Sequence, residues 1–165
     1  MEKIIIRDAT EHDYPEIVKL NADQVEYTSP MDIDRLKLLD SLADYHRVVV
    51  TEAMVVAFML AMKANVPYEN DNYDWFSARY ENFLYIDRVV VTAGYQGRRI
   101  GTLFYEDIFK FARENKIPLV TCEINILPPN ERSLAFHAKL GFKEVGEQWI
   151  QNNKKVSMQA ARIFI

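Results

Sequence analysis

Three of the five glycines in the chain crowd into one short stretch, Ala93-Gly94-Tyr95-Gln96-Gly97-Arg98-Arg99-Ile100-Gly101-Thr102. Before it, residues 83–92 carry the strongest strand pattern in the sequence, with Val89-Val90-Val91 near its end. After it, residues 101–114 repeat apolar side chains at helical spacing through Leu103, Phe104, Ile108, Phe111 and Ala112. A strand that bends through glycine into a helix leaves the first helical amides without intrahelical acceptors, at the positive end of the dipole. That geometry suits an anion, above all a phosphate. Gly97 and Gly101 remove side chains that would hold a phosphate away, and Arg98 and Arg99 add positive charge. The P-loop ending Gly-Lys-Ser/Thr is absent, and so is the dinucleotide pattern GxGxxG. A tight turn with solvated arginines is the plain alternative.

The remainder reads as alternating helices and strands of an α/β (α+β) protein, organised as a single domain over residues 1–165. At 165 residues, 49% apolar and 27% charged, the chain can bury a core without disulfides. Residues 3–7 form a strand, and Thr10, with Asp13 three residues on, opens a helix with Tyr14, Ile17 and Val18 on one face. Ser29-Pro30 starts a second helix, striped by Ile33, Leu36, Leu39 and Ala43. Residues 48–51 and 55–62 make a hairpin. Residues 65–82, aromatic but without clean periodicity, read as an ordered loop with at most one helical turn. Residues 118–126, 142–149 and 155–164 are strands, and Pro128-Pro129-Asn130 starts a helix that ends at Gly141.

Twenty basic residues against 24 acidic ones give a net charge of −4, so no global positive field invites nucleic acid. The longest apolar runs, such as residues 54–62, fall short of the roughly 20 residues of a membrane span, and the amino terminus lacks a signal-peptide layout. The single cysteine, Cys122, forms neither an internal disulfide nor a zinc cluster. The expectation is a cytoplasmic protein with no metal, no nucleic acid and no membrane partner. The apolar terminal strand, residues 160–165, offers an edge at which two copies could pair as a homodimer.

A second segment carries further chemistry. It runs from Cys122-Glu123-Ile124-Asn125 through Asn130-Glu131-Arg132-Ser133-Leu134-Ala135-Phe136-His137 to Leu140-Gly141-Phe142. On a helix Ser133, Phe136, His137 and Leu140 share one face. A histidine there is either a satisfied core residue or a proton carrier, and Asn130 is by default an N-cap. Together the two segments resemble the GNAT superfamily of N-acetyltransferases. The family's acetyl-CoA signature, a strand, then Q/R-x-x-G-x-G/A, then a helix, is matched by Gln96-Gly97-Arg98-Arg99-Ile100-Gly101 after Val89-Val90-Val91. Its later asparagine at a helix start, followed by a helix ending in L-G-F, is matched by Asn130 and Leu140-Gly141-Phe142. The order of elements extends the resemblance over nearly the whole chain. Two positions depart from the pattern. Arg99 replaces the first glycine of the motif, and His137 stands where many members have a tyrosine proposed as general acid. Some members that acetylate small amines, such as phosphinothricin acetyltransferases, also carry histidine there.

The resemblance implies a GNAT-like domain with a central mixed, mostly antiparallel sheet flanked by helices. In it the strands near 83–92 and 118–126 splay apart in a V. It implies acetyl-CoA as co-substrate, held by Val89, Val90, Val91, Gln96, Gly97, Arg98, Arg99, Ile100, Gly101 and Thr102, with Asn130 and Ser133 on the pantetheine arm. The implied reaction is direct attack of a primary amine on the thioester in a ternary complex; the amine belongs to a small molecule, an amino acid or a peptide. A lysine-like amine of pKa about 10.4 is deprotonated about once in 2,500 at pH 7, a handicap of about 4.6 kcal/mol, whereas an α-amine near 7.8 loses only about 1 kcal/mol. How much a base matters therefore depends on the acceptor. Glu123, at the position resembling the base of ribosomal-protein N-terminal acetyltransferases, is the first candidate, Asp87 the second, and water-mediated deprotonation the third. A salt bridge is the plain reading of either carboxylate, and Arg88 adjoins Asp87.

His137 is the candidate donor to the leaving thiolate, and amides at the strand end would polarise the thioester carbonyl. Cys122 lacks a His/Asn partner pattern and reads as a core thiol. Trp75, Tyr80 and Tyr85, with Asp71 and Asp74 nearby, are candidate acceptor contacts that would favour a cationic amine; core packing is their alternative. The competing function is a catalytically silent acyl-CoA-binding or regulatory module on the same fold, for which Arg99 and the missing tyrosine speak.

Overall fold

Apolar runs that are β-branched become strands, and those repeating at helical spacing become helices. The computed structural model describes residues 3–24, 28–97, 99–151 and 153–164. In chain order the elements are β1 (Ile4–Asp8), α1 (Tyr14–Asp23), α2 (Ile33–Leu42), β2 (Tyr45–Thr51), β3 (Met54–Lys63) and α3 (Asp71–Ser77). They continue with β4 (Leu84–Val91), α4 (Ile100–Glu114), β5 (Leu119–Leu127), α5 (Glu131–Lys139), β6 (Lys143–Trp149) and β7 (Lys155–Arg162). The strands form a seven-stranded mixed sheet in the order β1-β2-β3-β4-β5-β7-β6. The pairs β1–β2, β2–β3, β5–β7 and β6–β7 are antiparallel. Strands β4 and β5 are parallel through Leu84↔Val120 and Tyr85↔Thr121. This is the α/β architecture expected from the sequence.

The chain divides into two compact units, Met1–Met62 with Ile86–Ile108, and Lys63–Tyr85 with Phe109–Ile165. In the first, Ile17 of α1, Leu36 and Leu39 of α2, Val48 of β2, Phe58 of β3 and Phe104 of α4 are fully buried. Polar side chains fix how these elements meet. Asp107 of α4 accepts from Tyr45 Oη (2.6 Å) and Arg47 Nη1 (2.7 Å), both on β2. Near the end of α2, Asp40 Oδ1 lies 2.6 Å from His46 Nδ1. His46 is buried, and its Nε2 has no hydrogen-bond partner among the described residues. One expected boundary moves. Helix α2 begins after Asp32, whose Oδ1 accepts from Arg35 N (2.7 Å), and not at Ser29-Pro30. The Ser29 carbonyl is held by side chains instead of by a helix, taking a bond from Asn21 Nδ2 (2.8 Å).

In the second unit, residues expected to form a loop contain the two-turn α3. Asn70 caps it, its Oδ1 accepting from Asn72 N and Tyr73 N (3.0 Å each). Tyr73 and Phe76 turn inward, and their rings meet those of Phe83 and Tyr85 at 5.6–6.2 Å between centroids. Two contacts strap α3 to β6: Gln148 Nε2 donates to Asn72 Oδ1 (2.8 Å), and the Trp75 ring lies against the bare Cα of Gly146. Strand β7 lies between β5 and β6, with β5 pairing it through Arg162 and β6 pairing it as far as Ala160. Of the terminal stretch named as a pairing edge, Ile165 lies outside the described residues.

The Trp75 contact yields a sharp test. A Cβ at position 146 would stand 2.7 Å from Trp75 Cη2, so either the indole or the strand must shift. Gly146→Ala lowers unfolding stability by about 1–3 kcal/mol, and Trp75→Leu in the same chain recovers most of the loss in a urea titration.

Candidate active site

From Ile86 onward, β4 alternates between buried residues (Ile86, Arg88, Val90) and less buried ones (Asp87, Val89, Val91), although the Asp87 side chain itself is buried. Beyond it Thr92 N still bonds to Val56 O of β3 (2.9 Å), and a single 3-10 turn follows over Ala93–Tyr95. Gln96 folds back, its Nε2 donating to Val91 O (3.3 Å). Gly97 has φ +81° and open space where a Cβ would stand. Arg98 lies outside the described residues. Arg99 has φ +64°, the left-handed conformation that the motif's glycine would adopt without penalty. Its carbonyl takes the first helical bond, from Leu103 N (3.0 Å). The amides of Ile100, Gly101 and Thr102 therefore have no intrahelical acceptor and sit at the positive end of α4. An open left-handed glycine followed by three such amides fits a diphosphate. Arg99 preserves this turn at a backbone cost of about 1 kcal/mol, with its side chain exposed.

Asp87 and Arg88 form an ion pair inside the same unit. Arg88 Nε donates to Asp87 Oδ2 (2.7 Å), and the two side chains are 5% and 3% exposed for arginine and aspartate respectively. Arg88 Nη1 reaches on to Asn21 Oδ1 (3.1 Å) and Ser29 O (3.0 Å). Removing one member of such a buried pair costs about 3–5 kcal/mol. The sequence signalled Asp87 and its neighbour, but not Asn21 or Ser29. The missed signal was a cation at a strand position whose neighbours two residues away, Ile86 and Val90, are apolar.

In the second unit, Tyr85 Oη donates to both carboxylate oxygens of Glu123, at 2.6 and 2.9 Å. Tyr85 is fully buried, with the rings of Tyr73, Phe76 and Tyr68 at 5.6, 5.9 and 6.5 Å. Glu123 is half-buried. A candidate acceptor contact and a candidate base are thus brought together, with the phenol orienting the carboxylate. Trp75 and Tyr80 flank Phe76, at 5.2 and 6.4 Å, and the Arg79 guanidinium covers the Trp75 ring at 3.7 Å. Asp71 and Asp74 are exposed. Cys122 is buried, which pushes its thiol pKa up and keeps it neutral.

On α5, Asn130 Oδ1 caps the helix by accepting from Ser133 N (3.3 Å). His137 Nδ1 lies 2.7 Å from Ser133 O and 3.2 Å from Ser133 Oγ. A carbonyl only accepts, so Nδ1 carries the proton and Nε2 is the basic atom of the neutral ring. The ring meets Phe142 and Phe136 edge-on at 5.1 and 5.6 Å. Burial pushes its pKa below the ordinary value, outweighing the Ser133 bond. Among the described residues no three His, Cys, Asp or Glu side chains are grouped to hold a metal ion, and no helix is long and apolar enough to cross a membrane.

The sequence matches the acetyltransferase (GNAT) family over residues 11–142. No curated protein matches it. Several solved structures share its fold. Ard1 from Thermoplasma volcanium superposes with a TM-score of 0.80 at 14% identity, covering 98% of this chain and 99% of that one. The ribosomal-protein-S18-alanine N-acetyltransferase from Escherichia coli gives 0.75 at 12% identity, covering 99% and 96%. A chain of the NatC complex bound to Gag peptide and CoA gives 0.77 at 15%, covering 98% and 99%.

Arg99→Gly releases the left-handed strain and raises unfolding stability by about 1 kcal/mol, whereas Arg99→Val lowers it; thermal melts of the three proteins check the order. His46 and His137 both have pKa values held down by burial. The unfolded chain therefore binds more protons below about pH 6.5, and stability present above that pH is lost as pH falls toward the lower folded values. His137→Asn makes the fall in melting temperature between pH 7 and pH 5.5 shallower than in the wild type; an equally steep fall would exclude this histidine as a cause.

Proposed function

Because the chain belongs to the GNAT acetyltransferase family and is an acyltransferase, we propose that it is a cytoplasmic N-acetyltransferase. On this reading residues 1–165 form one catalytic domain that moves an acetyl group from acetyl-CoA to a primary amine by direct attack in a ternary complex. Acetyl-CoA supplies the activated thioester. The amides of Gly97, Ile100, Gly101 and Thr102 bind its diphosphate, with Gln96 closing the strand end and Arg98 and Arg99 adding charge. The backbone of Val89, Val90 and Val91 orients the thioester, and Asn130 and Ser133 contact the pantetheine arm.

The observation that carries the enzymatic reading is the carboxylate of Glu123, half-exposed and oriented by the buried Tyr85 phenol. Glu123 takes the proton from the acceptor ammonium, leaving the nitrogen lone pair able to attack. Asp87, the rival, is engaged by Arg88, which supports a structural role for it. His137 Nε2 is the atom that would bring a proton to the departing thiolate, and it does so only in the fraction of molecules where the ring is charged. The acceptor class is a small-molecule, amino-acid or peptide amine. One neighbour by its name acts on an alanine of ribosomal protein S18, and another was solved with a peptide and CoA, which supports a peptide amine.

A panel of spermidine, L-lysine amide and an alanine-initiated hexapeptide, followed by thiol release, tests the reading. With an acceptor of pKa near 10, Glu123→Gln lowers kcat/KM by about 10²-fold or more while the calorimetric Kd for CoA is unchanged. Tyr85→Phe lowers it by a smaller factor. Tight CoA binding with no turnover of any amine would favour the silent module, and no CoA binding would remove both readings.

A further inference from the structure

We propose that Arg88 is a positioning residue that pins the connection between α1 and α2, at residues 28–30, to the acyl end of the cofactor strand. There the connection fixes one wall of the acceptor site. The inference rests on the proposed acetyl transfer. Residues 28–32 belong to no helix or strand, so side chains must hold this part of the connection. Arg88 does so with a fork that reaches from Nε to Asp87 and from Nη1 to both Asn21 Oδ1 and Ser29 O. Asn21, wholly buried on α1, closes the ring by donating its own Nδ2 to Ser29 O (2.8 Å). The Ser29 carbonyl thus receives two donors, and the Asp87 carboxylate offsets the charge of the guanidinium that supplies one of them. A lysine at position 88 would bring the charge but not the planar fork.

The place of the pin along β4 says which part of the reaction it serves. The diphosphate cradle lies beyond Val91, at the start of α4. A pantetheine arm held by the backbone of Val89–Val91 would extend toward Arg88, which stands three residues before Val91 on β4, about 10 Å at strand spacing. On the proposed reading the acyl group would lie near Arg88, whose guanidinium holds residue 29. Loosening residues 28–30 should weaken binding of the incoming amine and spare the coenzyme. It should also spare chemistry at saturating acceptor.

Replacing Arg88 by an apolar residue would strand the Asp87 charge and endanger the fold, so the test uses Asn21→Ala, which keeps the ion pair, and Arg88→Lys, which keeps the charge. Both are measured in the full chain with the best amine of the panel above. The expected result is an acceptor KM raised about fivefold or more, with kcat and the CoA Kd within about twofold. Amide hydrogen exchange at residues 28–32 should quicken about tenfold, while the first turn of α4 is unaffected. An acceptor KM within twofold of wild type in either folded variant overturns the inference. So does unchanged exchange at 28–32, or a CoA Kd that weakens in parallel. A wild-type protein that transfers acetyl to no amine overturns the proposed function and this inference with it, whereas a turning-over enzyme with an unmoved acceptor KM overturns this inference alone.

Discussion

The α4 hydrogen bond from Leu103 N ends at the carbonyl of Arg99, and the proposed cofactor cradle depends on that bond. Had the helix begun a turn earlier, the amides of Ile100, Gly101 and Thr102 would point at carbonyls of their own helix. Had it begun later, they would lie in flexible backbone. The left-handed residues at 97 and 99 set the starting point by turning the chain out of β4 and into the helix axis. Glycine makes such a turn freely. Arginine makes it too, at a modest cost that the packing of Ile100, Phe104 and Ile108 can sustain. The departure from the family's glycine therefore changes the side chain at the cradle and not the cradle itself.

The same strand shows how a polar network can be built into a buried surface. Position 88 falls in the buried phase of β4, between Ile86 and Val90, where a lone cation would be untenable. Asp87 makes it tenable, and Asn21 and the Ser29 carbonyl accept from Nη1. An apolar residue of similar volume would pack as well and could be more stable. It would not specify where the irregular segment after α1 lies, because an apolar contact is non-directional.

What the sequence disclosed and what it hid follow one physical line. Residues 101–114 were legible because their pattern comes from burial of one face, which is local and periodic. The glycine-rich turn was legible because few residues can adopt its backbone. By contrast α3 was hidden. Its aromatics Tyr73, Trp75 and Phe76 lie on more than one side, two meeting the ring cluster around Tyr85 and one meeting Gly146. No single stripe betrays a helix buried from two directions. The start of α2 was misplaced because Ser29-Pro30 has the composition of a cap while its backbone serves a distant side chain. The interior position of β7 was hidden for a related reason: an apolar strand reads alike whether its edges are paired or free, since pairing uses the backbone.

Among candidate bases, two carboxylates near one strand are told apart by what holds them. Asp87 faces a guanidinium across 2.7 Å with a side chain 3% exposed, so a proton taken there would break a buried ion pair. Glu123 faces a neutral phenol and stays half-exposed, so protonation replaces water contacts and leaves the Tyr85 oxygen able to turn from donor to acceptor. His137 adds a complementary constraint: its Nδ1 is tied to its own helix, which leaves Nε2 as the basic atom, and burial opposes a second proton. On the proposed reading Glu123, oriented by the Tyr85 phenol, takes the proton from the amine, and His137 Nε2 brings one to the thiolate.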